Sequence, residues 1–123
     1  YYSLNVTWGG LAGQVTGTVT GDNYVQIVDS VATATTDKQY NCAVDYSGLT
    51  GFYLLSNYAI TVETNSSSAP DYAWNLVANV PQFWFTGTGG TNPLADDITA
   101  LYVTNASGST AQFFIYFIGD NSP

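Results

Sequence analysis
"FFIYFIGD", residues 113–120, is apolar at odd and even positions alike. Side chains alternate along a β-strand, so Phe113, Ile115 and Phe117 would point one way and Phe114, Tyr116 and Ile118 the other. A strand with one wet face carries polar residues at every second position. This one does not, so something must cover each face. One cover is the core of the domain. The other is a second sheet, a long loop, or another protein.

The rest of the chain explains what kind of core that is. "YSLNVTW" (2–8) sets Tyr2, Leu4, Val6 and Trp8 against Ser3, Asn5 and Thr7. "QVTGTVT" (14–20) sets Val15, Gly17 and Val19 against threonines, and Gly21 to Asn23 is a turn signal. "YVQIVDSVATATT" (24–36) is one long β-branched run, and "QYNCAVDY" (39–46) alternates again. "FYLLS" (52–56) is short and apolar, and "YAITVET" (58–64) places Tyr58, Ile60 and Val62 inward. A polar loop, "NSSSAPD" (65–71), precedes "YAWNLVANV" and "QFWF" on either side of Pro81. "ITALYVTN" (98–105) and the closing apolar strand are joined by "ASGS". No segment shows a helical period. The pattern predicts one all-β domain over residues 1–123, an antiparallel β-sandwich or jelly roll of about 8–10 short strands.

Composition narrows the functions open to such a domain. Of 123 residues, 46% are hydrophobic but only 8% are charged, against about 25% in ordinary domains. Nine acidic residues face one base, Lys38, for a net charge of −8. Nucleic-acid backbones are held by Lys and Arg, so no nucleic-acid partner is expected, and an anionic membrane is disfavoured for the same reason. No apolar stretch approaches the roughly 20 residues that span a bilayer. The first residue is Tyr1 rather than methionine, which fits removal of a leader or loss of the first residue equally well.

Catalytic chemistry finds little to work with. The chain has no histidine, which rules out Ser-His-Asp and Cys-His arrangements. Asp96-Asp97 is the one adjacent carboxylate pair, but neighbours on a strand diverge, and the pair reads as a loop end leading into Ile98. Aspartates and loop carbonyls suit calcium, yet no loop has the spaced ligands of a dedicated site. No enzyme activity and no metal or cofactor is expected. Cys42 alternates with Tyr40 and Val44 and reads as a small buried side chain. Gly87, Gly89 and Gly90 open no helix and precede no lysine, so they read as a turn rather than a phosphate cradle. Sequons stand at Asn5, Asn65 and Asn105, in a chain so rich in Asn, Ser and Thr that they carry little signal.

The aromatic residues say more: 10 Tyr, 6 Phe and 3 Trp. Trp8, Trp74 and Trp84 are expected to fill the core. That leaves the two-sided strand and the turn Phe83, Trp84, Phe85 unexplained. Interface candidates are therefore Phe83, Trp84, Phe85, Phe114, Tyr116 and Ile118, since Tyr and Trp are enriched and Lys and Glu depleted where proteins meet. The same rings would suit stacking on sugars.

The second half also resembles a family. "TNSSSAPDYAWNLVANVPQFWF" and "NPLADDITALYVTNASGSTAQFFIYFIGDNSP" are similar to small all-β proteins encoded among the structural genes of tailed phages. Thr64 to Asp71, Val80 to Trp84, Asn92-Pro93 and Asp97 to Gly108 carry the likeness, over about residues 58–120. The resemblance implies a non-enzymatic virion component: a capsid decoration or cement protein, otherwise a tail or fibre module. Its partners would be copies of itself and a major capsid or other virion protein. The alternatives are a secreted carbohydrate-binding module and a subunit of an extracellular filament.

Overall fold
The strand that ends the chain sits in the middle of a sheet. In the computed structural model, which describes residues 2–10, 13–86 and 90–120, with residues 2–20 as backbone, Ala111–Gly119 pairs on both sides. Ten strands are described: β1 (Tyr2–Gly10), β2 (Gly13–Gly21), β3 (Asn23–Val31), β4 (Thr35–Val44), β5 (Leu49–Ser56), β6 (Ile60–Thr64), β7 (Ala73–Leu76), β8 (Gln82–Phe85), β9 (Ile98–Asn105) and β10 (Ala111–Gly119). The one helical piece among the described residues is a 3-10 turn, Tyr46–Gly48, started by the Asp45 carboxylate accepting from the Ser47 N–H.

Eight strands form two four-stranded antiparallel sheets, ordered β3-β10-β5-β8 and β4-β9-β6-β7. The chain crosses between sheets at almost every connection, and that strand order is the winding of a jelly roll. The expected all-β sandwich is therefore the fold. Between the sheets lie Phe52, Leu54, Ile115 and Phe117 from one side and Val62, Trp74, Leu101 and Val103 from the other, all buried. Burying each such side chain contributes about 1.5–3 kcal/mol. Phe52 and Trp74 meet edge-to-face across the gap, with ring centroids 5.4 Å apart.

The remaining pair, β1 and β2, is a hairpin. Its register sets Leu4 opposite Val19, Val6 opposite Gly17 and Trp8 opposite Val15, so the apolar positions coincide. Ser3 and Thr20, Asn5 and Thr18, and Thr7 and Thr16 share the alternate positions. The hairpin joins the sandwich at Gly21, where a Cβ would run into the Gly119 carbonyl oxygen, and the next N–H, of Asp22, donates to that same oxygen at 2.9 Å.

Several boundaries differ from the sequence expectations. The run 24–36 is broken by a turn at Ala32–Ala34, with Ala34 at φ 65°. Tyr58 does not point inward: the Ser56 hydroxyl donates to its carbonyl, closing a turn, and the ring is exposed. "YAWNLVANV" stops being a strand at Leu76, because Asn79 takes a left-handed conformation and Val77 to Val80 make a turn. Asp96-Asp97 does lead into the strand at Ile98.

Candidate functional site
The two sheets differ in what they show to the outside. On the β4-β9-β6-β7 sheet the outward positions are polar: Gln39, Tyr102 and Glu63 lie side by side, as do Thr104, Thr61 and Asn75. That is the usual alternation of a half-solvated antiparallel sheet.

The β3-β10-β5-β8 sheet breaks the rule. Register places Tyr24, Ile118 and Gly51 in one outward row, ending at Phe85. The next row is Gln26, Tyr116, Tyr53 and Phe83, and the third is Val28, Phe114 and Leu55. No charged residue stands in these rows. The rings form a continuous layer: Tyr24 stacks on Tyr116 at 5.6 Å and 7°, and Phe114 lies parallel to Tyr116 at 6.1 Å. Tyr53 stacks on Phe83 at 6.2 Å, and Phe83 packs on Phe85 at 5.6 Å. Such ring pairs add about 0.5–1.5 kcal/mol beyond the area they bury.

Burial divides this layer in two. Ile118 and Phe85 are 0% and 1% exposed, and Tyr116 is 9% exposed. They lie toward the end where β2 meets β10 and β5. Away from that end, Phe114, Phe83 and Tyr53 are half-buried, and Val28 is 64% exposed. Burial also pushes the Tyr53 hydroxyl pKa upward.

Five of the six interface candidates, Phe83, Phe85, Phe114, Tyr116 and Ile118, thus share one surface. Trp84 does not. It alternates with its neighbours, turns toward Phe52 at 6.3 Å, and donates its indole N–H to the Gly90 carbonyl at 3.1 Å. A long loop of the same chain is one cover open to the outward stripe, and the Gly-rich segment after Phe85 is the nearest in sequence. Its described end leans on Trp84 instead, and residues 87–89 lie outside the described residues. Tyr24, Val28 and Tyr53 escaped sequence reasoning. Each sits in a strand with an ordinary apolar/polar mixture, and only the cross-strand register brings them beside β10.

The carboxylates are arranged otherwise than sequence proximity suggests. Asp97 is brought near Asp45, not used together with Asp96, beside a cleft of about 320 Å³ lined by Asn23, Ala43, Asp45, Asp97 and Thr99. Both are occupied as acceptors: Asp97 takes the Tyr46 N–H at 3.1 Å, and Asp45 takes the N–H and hydroxyl of Ser47. The Ser47 hydroxyl is the main cause that lowers the Asp45 pKa. Among the described residues, no group of three or more His, Cys, Asp or Glu converges as a metal site would. Cys42 packs partly buried against the core, which raises its thiol pKa.

Two of the sequons sit in hydrogen-bond networks. The Asn65 side-chain amide donates to Asp71 and to the Asp97 carbonyl, both at 2.7 Å, while its oxygen accepts the Thr99 N–H. Asn105 is wholly buried and donates to the Val31 and Ser109 carbonyls. Of Asn5 only the backbone, in β1, is described. Compared with protein-family models, with curated proteins and with solved structures, the chain matches none of them.

Proposed function
We propose that this chain is a non-enzymatic structural subunit of a virion, a capsid decoration or cement protein that works by joining protein surfaces. One observation carries the reading: the outward face of the β3-β10-β5-β8 sheet is aromatic and uncharged. In a protein free in water such a face would be a liability; against another protein it is an anchor. The virion setting comes from the resemblance of residues 58–120 to phage structural proteins. The jelly roll is compatible with it but hosts lectins as well as capsid subunits, so the fold does not choose between them. The carboxylates brought together near Tyr46 act as turn caps, which supports a role without catalysis.

A carbohydrate-binding module is the second reading, since parallel rings such as Tyr24 and Tyr116 suit stacking on sugars. It ranks lower because, in the described outward rows of the sheet, hydrogen-bonding side chains are few: Gln26, Ser30, Gln112 and the tyrosine hydroxyls. Sugar recognition needs convergent polar groups beside the rings. The test is cryo-EM of the particle that carries the chain, together with a glycan array. Density for the jelly roll with its aromatic face against a neighbouring subunit is the expected result. A particle without the chain, or saturable glycan binding abolished by Tyr24→Ala, would overturn the proposal.

A further inference from the structure
We propose that a cleft beyond the third row of the aromatic face is a binding site for one residue of a neutral sugar. The cleft holds about 260 Å³ and is lined by Leu55, Asn57, Asn79, Gln112, Phe113 and Phe114. Three segments meet there: the β5–β6 connection, the β7–β8 connection and the start of β10. It lies at the opposite end of β10 from Gly119, past the row of Val28, Phe114 and Leu55. A sugar held there leaves Tyr24, Tyr116, Tyr53 and Phe83 to a protein neighbour, so the site is separate from the surface assigned to assembly.

The polar groups of the cleft are carboxamides, and backbone bonds hold them in place. The Gln112 N–H donates to the Asn57 side-chain oxygen at 2.7 Å, and the Asn57 N–H donates to the Gln112 carbonyl at 3.1 Å. The first bond fixes the oxygen end of Asn57 and leaves its two amide hydrogens for another acceptor. Asn79, at φ 62°, is tied to the same corner by its N–H, which donates to the Ser56 carbonyl at 2.7 Å. Among the described residues, the Asn57 amide nitrogen and the side chains of Asn79 and Gln112 make no hydrogen bond to the chain. A carboxamide offers donors and an acceptor side by side, which is what adjacent sugar hydroxyls need.

Phe114 supplies the apolar element. It is half-buried, parallel to Tyr116 at 6.1 Å and edge-to-face with Tyr53 at 6.1 Å, so its ring is ordered before any ligand arrives. The C–H face of a sugar ring can rest on it. No charged side chain lines the cleft. A cationic ligand would find no carboxylate, and an acidic sugar would meet a chain carrying −8. A peptide would pair through main-chain groups, but the Gln112 N–H and carbonyl are both engaged by Asn57. The volume is just below the roughly 300 Å³ at which drug-sized sites begin, which suits a single ring.

The experiment follows the backbone and side-chain amide signals of the isotope-labelled full chain by NMR. Methyl glycosides of neutral hexoses are added first, then methyl glucuronide, then N-acetylglycine methylamide as a peptide probe. Saturating shifts in the millimolar range are expected from a neutral glycoside, at the carboxamides of Asn57, Asn79 and Gln112, and none from the other two probes. Asn79→Gly, which accepts the left-handed backbone, and Gln112→Ala should each weaken binding about fivefold at the parent's melting temperature. Asn57→Asp keeps the oxygen for the Gln112 N–H, removes the amide hydrogens and should abolish binding. Tyr24→Ala should change nothing. The inference is overturned if no neutral glycoside gives a saturable shift, or if the glucuronide or the peptide probe binds as well. Binding that survives Asn79→Gly and Gln112→Ala, or is lost in Tyr24→Ala, overturns it too.

Discussion

Lys38 and Asp29 hold the open edge of the sandwich together. The only basic side chain in the sequence reaches from β4 to the Asp29 carboxylate on β3 at 3.0 Å, and the Tyr40 hydroxyl donates to the same oxygen at 2.6 Å. The Lys38 ammonium also lies 5.3 Å from the Tyr40 ring centroid. Strands β3 and β4 belong to different sheets, so the pair links the two layers where no ladder does. The chain's one formal cation is therefore spent internally.

Acid should loosen this edge first. The Tyr40 hydroxyl, and then Lys38, hold the Asp29 pKa at about 2. A carboxylate whose folded pKa lies below its unfolded value of about 3.9 adds stability that is complete above pH 4 and lost as pH falls toward 2. The pair is exposed, so the effect is screened and modest. Melting temperature followed from pH 5 to pH 2 should fall, and Asp29→Asn should flatten that fall. An unchanged slope in the variant would show that other carboxylates carry it.

Asn105 should be among the costliest polar residues to remove. Its amide satisfies the Val31 and Ser109 carbonyls, and its oxygen takes the N–H and hydroxyl of Ser107. Asn105→Ala leaves the Val31 carbonyl without this partner in the interior, and the Ser107 and Ser109 groups without it in part-buried positions. About 2–4 kcal/mol of lost stability is expected in urea unfolding, since stranded buried groups cost about 1–3 kcal/mol each and partly re-pair.

The two halves of the aromatic face should respond differently to truncation. Phe85→Ala removes a side chain 1% exposed and is expected to cost about 3–5 kcal/mol, as in a core. Val28→Thr, on the same face, should change stability by less than about 0.5 kcal/mol. Equal costs would mean that the face is uniformly covered within one chain.

Gly21→Ala tests the hairpin junction. The added methyl has backbone, the Gly119 carbonyl, in its way, and that carbonyl is also the acceptor for Asp22. About 1–3 kcal/mol of destabilisation is expected, the range of overpacked sites. Amide exchange should quicken at Asp22 before it does at Leu101.

The sandwich was legible because strand alternation depends on local pattern alone, and residues 2–8, 39–44 and 60–64 alternate cleanly. The two-sided strand announced itself for the same reason. Its neighbours did not. Tyr24 and Tyr53 join the aromatic layer through pairing with Ile118 and Tyr116 over more than sixty positions, and register of that range is written in no short window. Trp84 was misgrouped because three consecutive aromatics look like one cluster, while a strand sends the middle one the other way. The turns at Ala34 and Asn79 were missed because left-handed conformations at residues other than glycine leave a weak mark in sequence.

The engaged side chain of Asn65 bears on where this protein can be made. An oligosaccharide attached there would replace one of the amide's two hydrogens, and both are needed, one for Asp71 and one for Asp97. Asn105 has the same two-hydrogen requirement in the interior. Sugar transferred to either residue during synthesis would meet a chain not yet folded and leave it unable to close the loops at 65–71 and 105–109. Folded yield from a host that carries that transferase should therefore fall below the yield from a host without it, and Asn65→Gln should not restore it, since the network needs the shorter side chain.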